Sequence, residues 1–125
     1  MTQLAEKIQD SELEVMRALW AAGGAAQLNE IRFGLAQKRG WEDSTVKTLL
    51  RRLCQKGAVE QEGRGRYRAV VTEADYRRQT ARKCVSKAFA GSAKALVAAL
   101  LDDGQLSPED VSELRALLDE EARHD

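Results

Sequence analysis

One proline, one histidine and two cysteines in 125 residues leave little material for several kinds of protein. With a single proline and no Gly/Ser-rich tract, nothing in the chain reads as a flexible linker between distant domains. Cys54 and Cys84 are too few for a disulfide framework and stand in helical patterns, so both are expected to be buried free thiols. Neither has a histidine or a second cysteine at metal-ligand spacing, which argues against a closed zinc site; no metal and no cofactor is expected. The sole histidine, His124, sits at the end of the chain, a poor place for a catalytic base. Asp102 and Asp103 are adjacent in a turn and do not flank a substrate, and Gly63-Arg64-Gly65 lacks the context of a phosphate-binding loop. An enzyme is therefore not expected. No run approaches the length of a membrane span, and no basic stretch followed by an apolar one stands at the N-terminus. The expectation is a cytoplasmic protein with no membrane insertion.

What is present is charge, and it is unevenly placed. The formal net charge is zero, with 20 basic and 20 acidic side chains. Residues 39–87 nevertheless carry thirteen basic and six acidic groups, whereas residues 88–125 carry three basic and nine acidic ones. A chain that averages to neutrality can still present a basic surface to DNA from its middle third.

Within that third, residues 43–56 make an amphipathic helix when set at 100° per residue. Val46, Leu49, Leu50, Leu53 and Cys54 fall on one side, and Ser44, Thr48, Arg51, Arg52 and Gln55 on the other. The polar side is made of hydroxyls, an amide and guanidiniums, groups that match phosphate oxygens and the acceptor-rich edges of bases. Asp43 or Glu42 starts this helix and Gly57 ends it.

Two helices precede it. After a short arm over residues 1–9, the first begins near Asp10 or Ser11, where Ser11 and Glu14 have capping-box spacing, and it buries Leu13, Met16 and Trp20 with support from Leu19. A turn over residues 21–26 leads to a second helix over about 27–38 that faces Leu28, Ile31 and Leu35 inward. Trp41 covers the joint to the third helix.

Beyond Gly57 the pattern changes to a hairpin, with strands near 58–60 and 67–71 joined through Gly63, Arg64 and Gly65. Arg64, Arg66 and Arg68 cluster at or beside its tip, and strand alternation sets Arg66 and Arg68 on one side with Tyr67 and Ala69 on the other. A basic tip beside an amphipathic helix suits a nucleic-acid backbone better than a core.

Thr72 then caps a long helix expected to run to about residue 101, and Ser107, Pro108 and Asp110 open a last one. Val85, Phe89, Leu96 and Leu100 form one apolar stripe, and Val111, Leu114, Leu117 and Leu118 a second. Two such stripes attached to a small head are most simply buried against the same elements of a second copy. The expected fold class is mainly α with a small β wing: a winged helix-turn-helix head over residues 8–71 and a helical dimerisation region over 72–122.

Several stretches in this order, DSELEVMRALW (10–20), NEI (29–31), WEDSTVKTLLRRLCQKGAV (41–59) and QLSPEDVSEL (105–114), resemble the BlaI/MecI penicillinase repressor family, to which the copper-responsive CopY branch is related. The resemblance implies a homodimeric repressor that binds near-palindromic, double-stranded operator DNA. It also implies that the third helix enters the major groove, with Thr45, Lys47 and Thr48 facing DNA. The helical wheel adds Ser44, Arg51 and Arg52, and the hairpin adds Arg64 and Arg66. A membrane sensor protease is a partner the family implies. Antibiotic-responsive members are cut at an Asn-Phe bond, however, and Ala99-Leu100 stands at the matching place here; the Cys-x-Cys of the copper branch has no counterpart after Cys84. The competing expectation is a winged-helix module that contacts a protein and has no specific DNA site.

Overall fold

The computed structural model describes residues 4–124, so the first three residues of the N-terminal arm and the last residue lie outside the described part. The chain divides into two compact units, one through Arg82 and one from Lys83 onward. The first holds a 3-10 turn (Leu4–Lys7), α1 (Asp10–Ala21), β1 (Ala25–Gln27), α2 (Leu28–Arg39), α3 (Asp43–Lys56), β2 (Val59–Gln61), β3 (Arg66–Ala69) and the beginning of α4 (Glu73–Ala88). The second holds the rest of α4, α5 (Ala93–Asp102) and α6 (Pro108–Arg123). Among the described residues, no single helix is long and apolar enough to cross a membrane.

The first unit is built on apolar positions three and four apart. Val15, Met16 and Leu19 of α1, Ile31 and Leu35 of α2, and Val46, Leu49, Leu50 and Leu53 of α3 close one core with Ile8, Val59, Ala69 and Val71. Leu13 and Trp20, expected in the α1 stripe, pack at its edge and are only half-buried. Trp20 donates its indole N–H to Val71 O at 2.9 Å and tilts against Tyr76 with ring centroids 5.5 Å apart, which ties the start of α4 to α1. Ala5 N–H donates to Gln79 Oε1 at 3.0 Å and adds a second tie.

The cap of α1 differs from the expected Ser11–Glu14 box. The box lies two residues earlier, and Gln9 N–H donates to Glu12 Oε1 at 2.9 Å. Glu12 is fully buried, and the same Oε1 receives Lys56 Nζ at 2.5 Å. Lys56 also donates to Lys7 O at 2.7 Å. Both bonds land on Oε1, while Oε2 is buried with no hydrogen-bond partner among the described residues, so the amide and the cation offset only part of the cost of burying this carboxylate.

The sheet has three strands where the sequence suggested two. β3 is central and antiparallel to both neighbours, in the order β1-β3-β2. β1, over Ala25–Gln27, falls where only a turn and the start of α2 were expected. Three residues without β-branched or aromatic side chains carry no strand signal of their own; they are strand because β3 lies beside them. α3 spans the expected residues, with Glu42 as N-cap and Gly57 as C-cap in the left-handed conformation (φ 83°).

The long helix expected from Thr72 to about residue 101 is two helices. Thr72 Oγ1 accepts from Asp75 N–H at 3.1 Å as anticipated. α4 ends at Ala88, and Ala90 (φ 50°) and Gly91 (φ 87°) turn the chain in the left-handed region. Ser92 Oγ then accepts from Ala95 N–H at 3.0 Å and starts α5. A left-handed glycine followed by a capping serine is a stop and a start, and this outweighs the apolar stripe that runs across it. α6 begins as expected, with Ser107 Oγ accepting from Asp110 N–H at 3.0 Å and Pro108 in the first turn.

Candidate nucleic-acid interface

α3 turns its apolar side inward, so the polar side faces solvent by elimination. Ser44, Thr45, Lys47, Arg51 and Arg52 are exposed and Thr48 is half-buried. Ser44, Thr45, Thr48 and Arg52 line one groove of about 440 Å³ together with Ser11, Trp41 and Leu49. Ser11 and Trp41 were not among the residues expected there. Trp41 precedes α3 by two residues, and Ser11 joins only because α1 packs on α3, a contact no local pattern announces. Lys47 and Arg51 stand outside the groove. The arrangement offers hydroxyl donors and acceptors, with one guanidinium at the wall and further cations outside it, the chemistry of phosphate and base-edge contact.

The start of α3 carries an ion pair that the sequence reading missed. Arg32 of α2 reaches Asp43 through Nη2 and Oδ2, across a separation of 11 residues. The hydrogen bond from Arg32 holds the Asp43 carboxyl below its ordinary value, and the charges of Arg32 and Lys47 act in the same direction. The same bond raises Arg32.

The hairpin tip, Glu62 to Gly65, turns through Gly63 (φ 68°) and Gly65 (φ 71°). Leu28 N–H donates to Gly65 O at 2.6 Å and anchors the tip to the start of α2. The three arginines expected to act together there differ in fact. Arg64 is exposed and makes no ion pair among the described residues. Arg66 lies 3.9 Å from Glu62. Arg68 is bound to Glu60, its cross-strand neighbour, and lies 3.7 Å from Glu62. Carboxylates at alternate positions of β2 and the tip therefore occupy Arg68, and Arg64 is left as the most available cation of the wing.

The cysteines also separate. Cys54 is half-buried, and burial pushes its thiol up, away from the reactive thiolate. Cys84 is exposed, contrary to the expectation that both thiols would be buried. α4 has no buried residue, so this position has no core to enter.

In the second unit, Val85, Phe89, Leu96, Leu100, Val111 and Leu114 are half-buried. Leu117 and Leu118 are 64% and 67% exposed. Val97 and Leu101, outside the expected stripes, are exposed as well. No described residue of α5 or α6 is fully buried.

The family model described as "Penicillinase repressor" matches residues 8–120. The penicillinase repressor of Bacillus licheniformis is 32% identical over 117 residues, 91% of each chain. The methicillin resistance regulatory protein MecI of Mammaliicoccus sciuri is 29% identical over 115 residues, covering 90% of this chain and 93% of that one. A solution structure of the monomeric form of Bacillus licheniformis BlaI in complex with the blaP half-operator covers 55% of this chain and 87% of that one, at 38% identity and a TM-score of 0.47. A match over nearly the whole length, with relatives covered almost end to end, places the chain: it belongs to the penicillinase repressor family, a family of transcriptional repressors and not of enzymes.

Proposed function

We propose that the protein is a homodimeric repressor that blocks transcription by binding near-palindromic operator DNA. The observation that carries this is the exposed polar face of α3, backed by a closed core and flanked by a wing whose tip is anchored to α2. α3 enters the major groove, with Ser44, Thr45, Thr48, Arg51 and Arg52 toward bases and phosphates and Lys47 reaching a phosphate from the flank. Arg64 contacts the backbone from the wing, and Arg66 assists once Glu62 releases it. Residues 8–71 form the DNA-binding head, and residues 72–122 the region that pairs two copies.

In that pairing, Val85, Phe89, Leu96, Leu100, Val111, Leu114, Leu117 and Leu118 supply the apolar contact. Two linked heads then meet two half-sites, and the local concentration of the second head raises affinity without new contacts. A membrane sensor protease remains the partner proposed from family resemblance, acting on a cytoplasmic repressor.

Fluorescence anisotropy of the purified chain against its own upstream DNA, with scrambled competitor at several salt concentrations, tests the reading. Saturable, sequence-dependent binding that weakens with salt is expected. The Arg51→Ala/Arg64→Ala variant should lose that binding while its melting stays unchanged. Equal, weak binding to both DNAs would show that the upstream DNA holds no operator for this chain and would favour a distant operator or a protein-docking role for the same surface.

A further inference from the structure

A carboxylate at the front of a DNA-facing helix is repelled by phosphate unless it has a donor to meet. Asp43 is the first residue of α3, and its side chain is 55% exposed beside Ser44, Thr45 and Lys47. It does not swing freely. Arg32 binds Oδ2 through Nη2, and Arg32 Nη1 donates at 3.2 Å to Asn29 Oδ1 one turn earlier on α2. The guanidinium is thus braced on its own helix while it grips the next. Oδ1 of Asp43 accepts no hydrogen bond among the described residues and retains its lone pairs for an outside donor.

The N-terminal residues of a major-groove helix are the ones that reach base edges. Donors on those edges are few: cytosine presents its N4 amino group, and adenine presents N6 beside the acceptor N7. A carboxylate suits the first and is repelled by the N7 of the second. We propose that Asp43 is a specificity-determining residue that accepts from a cytosine N4 amino group in each half-site, with Arg32 as its positioning residue. The inference rests on the operator-binding reading above and adds to it a base and a position. Asp43 also stabilises the positive end of the helix dipole, and that role alone would leave base preference untouched.

The test uses the full chain and a DNA duplex selected from a pool with a randomised centre, each base pair then being varied in turn. The wild type is expected to prefer cytosine at one half-site position by about 5- to 150-fold. Asp43→Ala should lose that preference and no other, and should bind scrambled DNA more tightly because one negative charge has gone. Asp43→Asn should move the preference at the same position from cytosine to adenine, the base that asparagine reads through N6 and N7. Arg32→Ala should weaken the same preference and bind scrambled DNA less well, and Arg32→Ala combined with Asp43→Ala should be no less selective than Asp43→Ala alone. Unaltered preference at every position in both Asp43 variants would overturn the inference while operator binding stood. Failure of the wild type to select any sequence would overturn both.

Discussion

The two units of the chain bury their apolar side chains to very different degrees. Every fully buried apolar residue among those described lies between Ala5 and Val71, and α5 and α6 have none. α5 nevertheless has a high proportion of apolar residues, with Leu96, Val97, Leu100 and Leu101 in a ten-residue helix. Apolar content therefore does not separate the units; what separates them is whether one chain supplies both sides of a core. Three helices and a sheet can enclose residues such as Leu50 and Leu53 from all directions. Among the described residues, the two helices beyond Lys83 have no sheet and no third layer of that kind, and Leu101, Leu117 and Leu118 stay exposed.

The head should break first and most severely when its enclosed core is cut. Leu50→Ala, at a residue 1% exposed, is expected to cost about 2–5 kcal/mol, read as a lower urea midpoint. The buried carboxylate offers a sharper cut. Lys56→Met leaves Glu12 in the core without its cation and should cost about 3 kcal/mol, whereas Glu12→Leu with Lys56→Met should recover most of that loss in the same denaturation experiment.

A break confined to the second unit has the opposite signature. Leu117→Asp with Leu118→Asp should leave the head's melting unchanged and raise the dimer dissociation constant by about 30-fold or more, the effect of removing a side chain worth about 2 kcal/mol at an interface. Sedimentation at several concentrations reads it. If the pair of substitutions left the dimer intact, the contact proposed for α6 would be wrong.

The smallest effect concerns Asp43. Its folded pKa lies below the ordinary value of 3.8, so the Arg32 pair contributes fully above that value and is lost as pH falls through the depressed one. Acid denaturation of Arg32→Ala should accordingly show a shallower limb below about pH 4 than the wild type, with the two proteins alike in slope near neutrality. Both side chains are at the surface, so the difference should be slight.

Much of this molecule was legible in the residues, and the exceptions share a cause. α3 follows from its own periodicity and its terminal glycine, and α6 from Ser107, Pro108 and Asp110, because each signal is local. β1 was not legible: Ala25, Ala26 and Gln27 are strand only through pairing with Arg68, Tyr67 and Arg66. The corner at Gly91 and Ser92 breaks the helix expected to run to about residue 101, because the apolar spacing on either side stays in phase and masks the stop. At the interface, the exposed positions of α3 could be derived from the buried ones. The engagement of Arg68 by Glu60 needed the strand register, and that of Asp43 by Arg32 needed the angle between two helices.

The third strand also bears on how fast the protein can find DNA. β1 pairs with β3 along three residues, and Leu28 N–H holds Gly65 O at the tip, so the wing is ordered before any encounter. A free two-stranded hairpin would have to be frozen at the moment of contact, at an entropic penalty for each residue fixed. Here that ordering is complete when the head folds. The wing backbone is thus held before DNA is met, and the ordering left for the moment of contact is that of side chains such as Arg64 and Arg66.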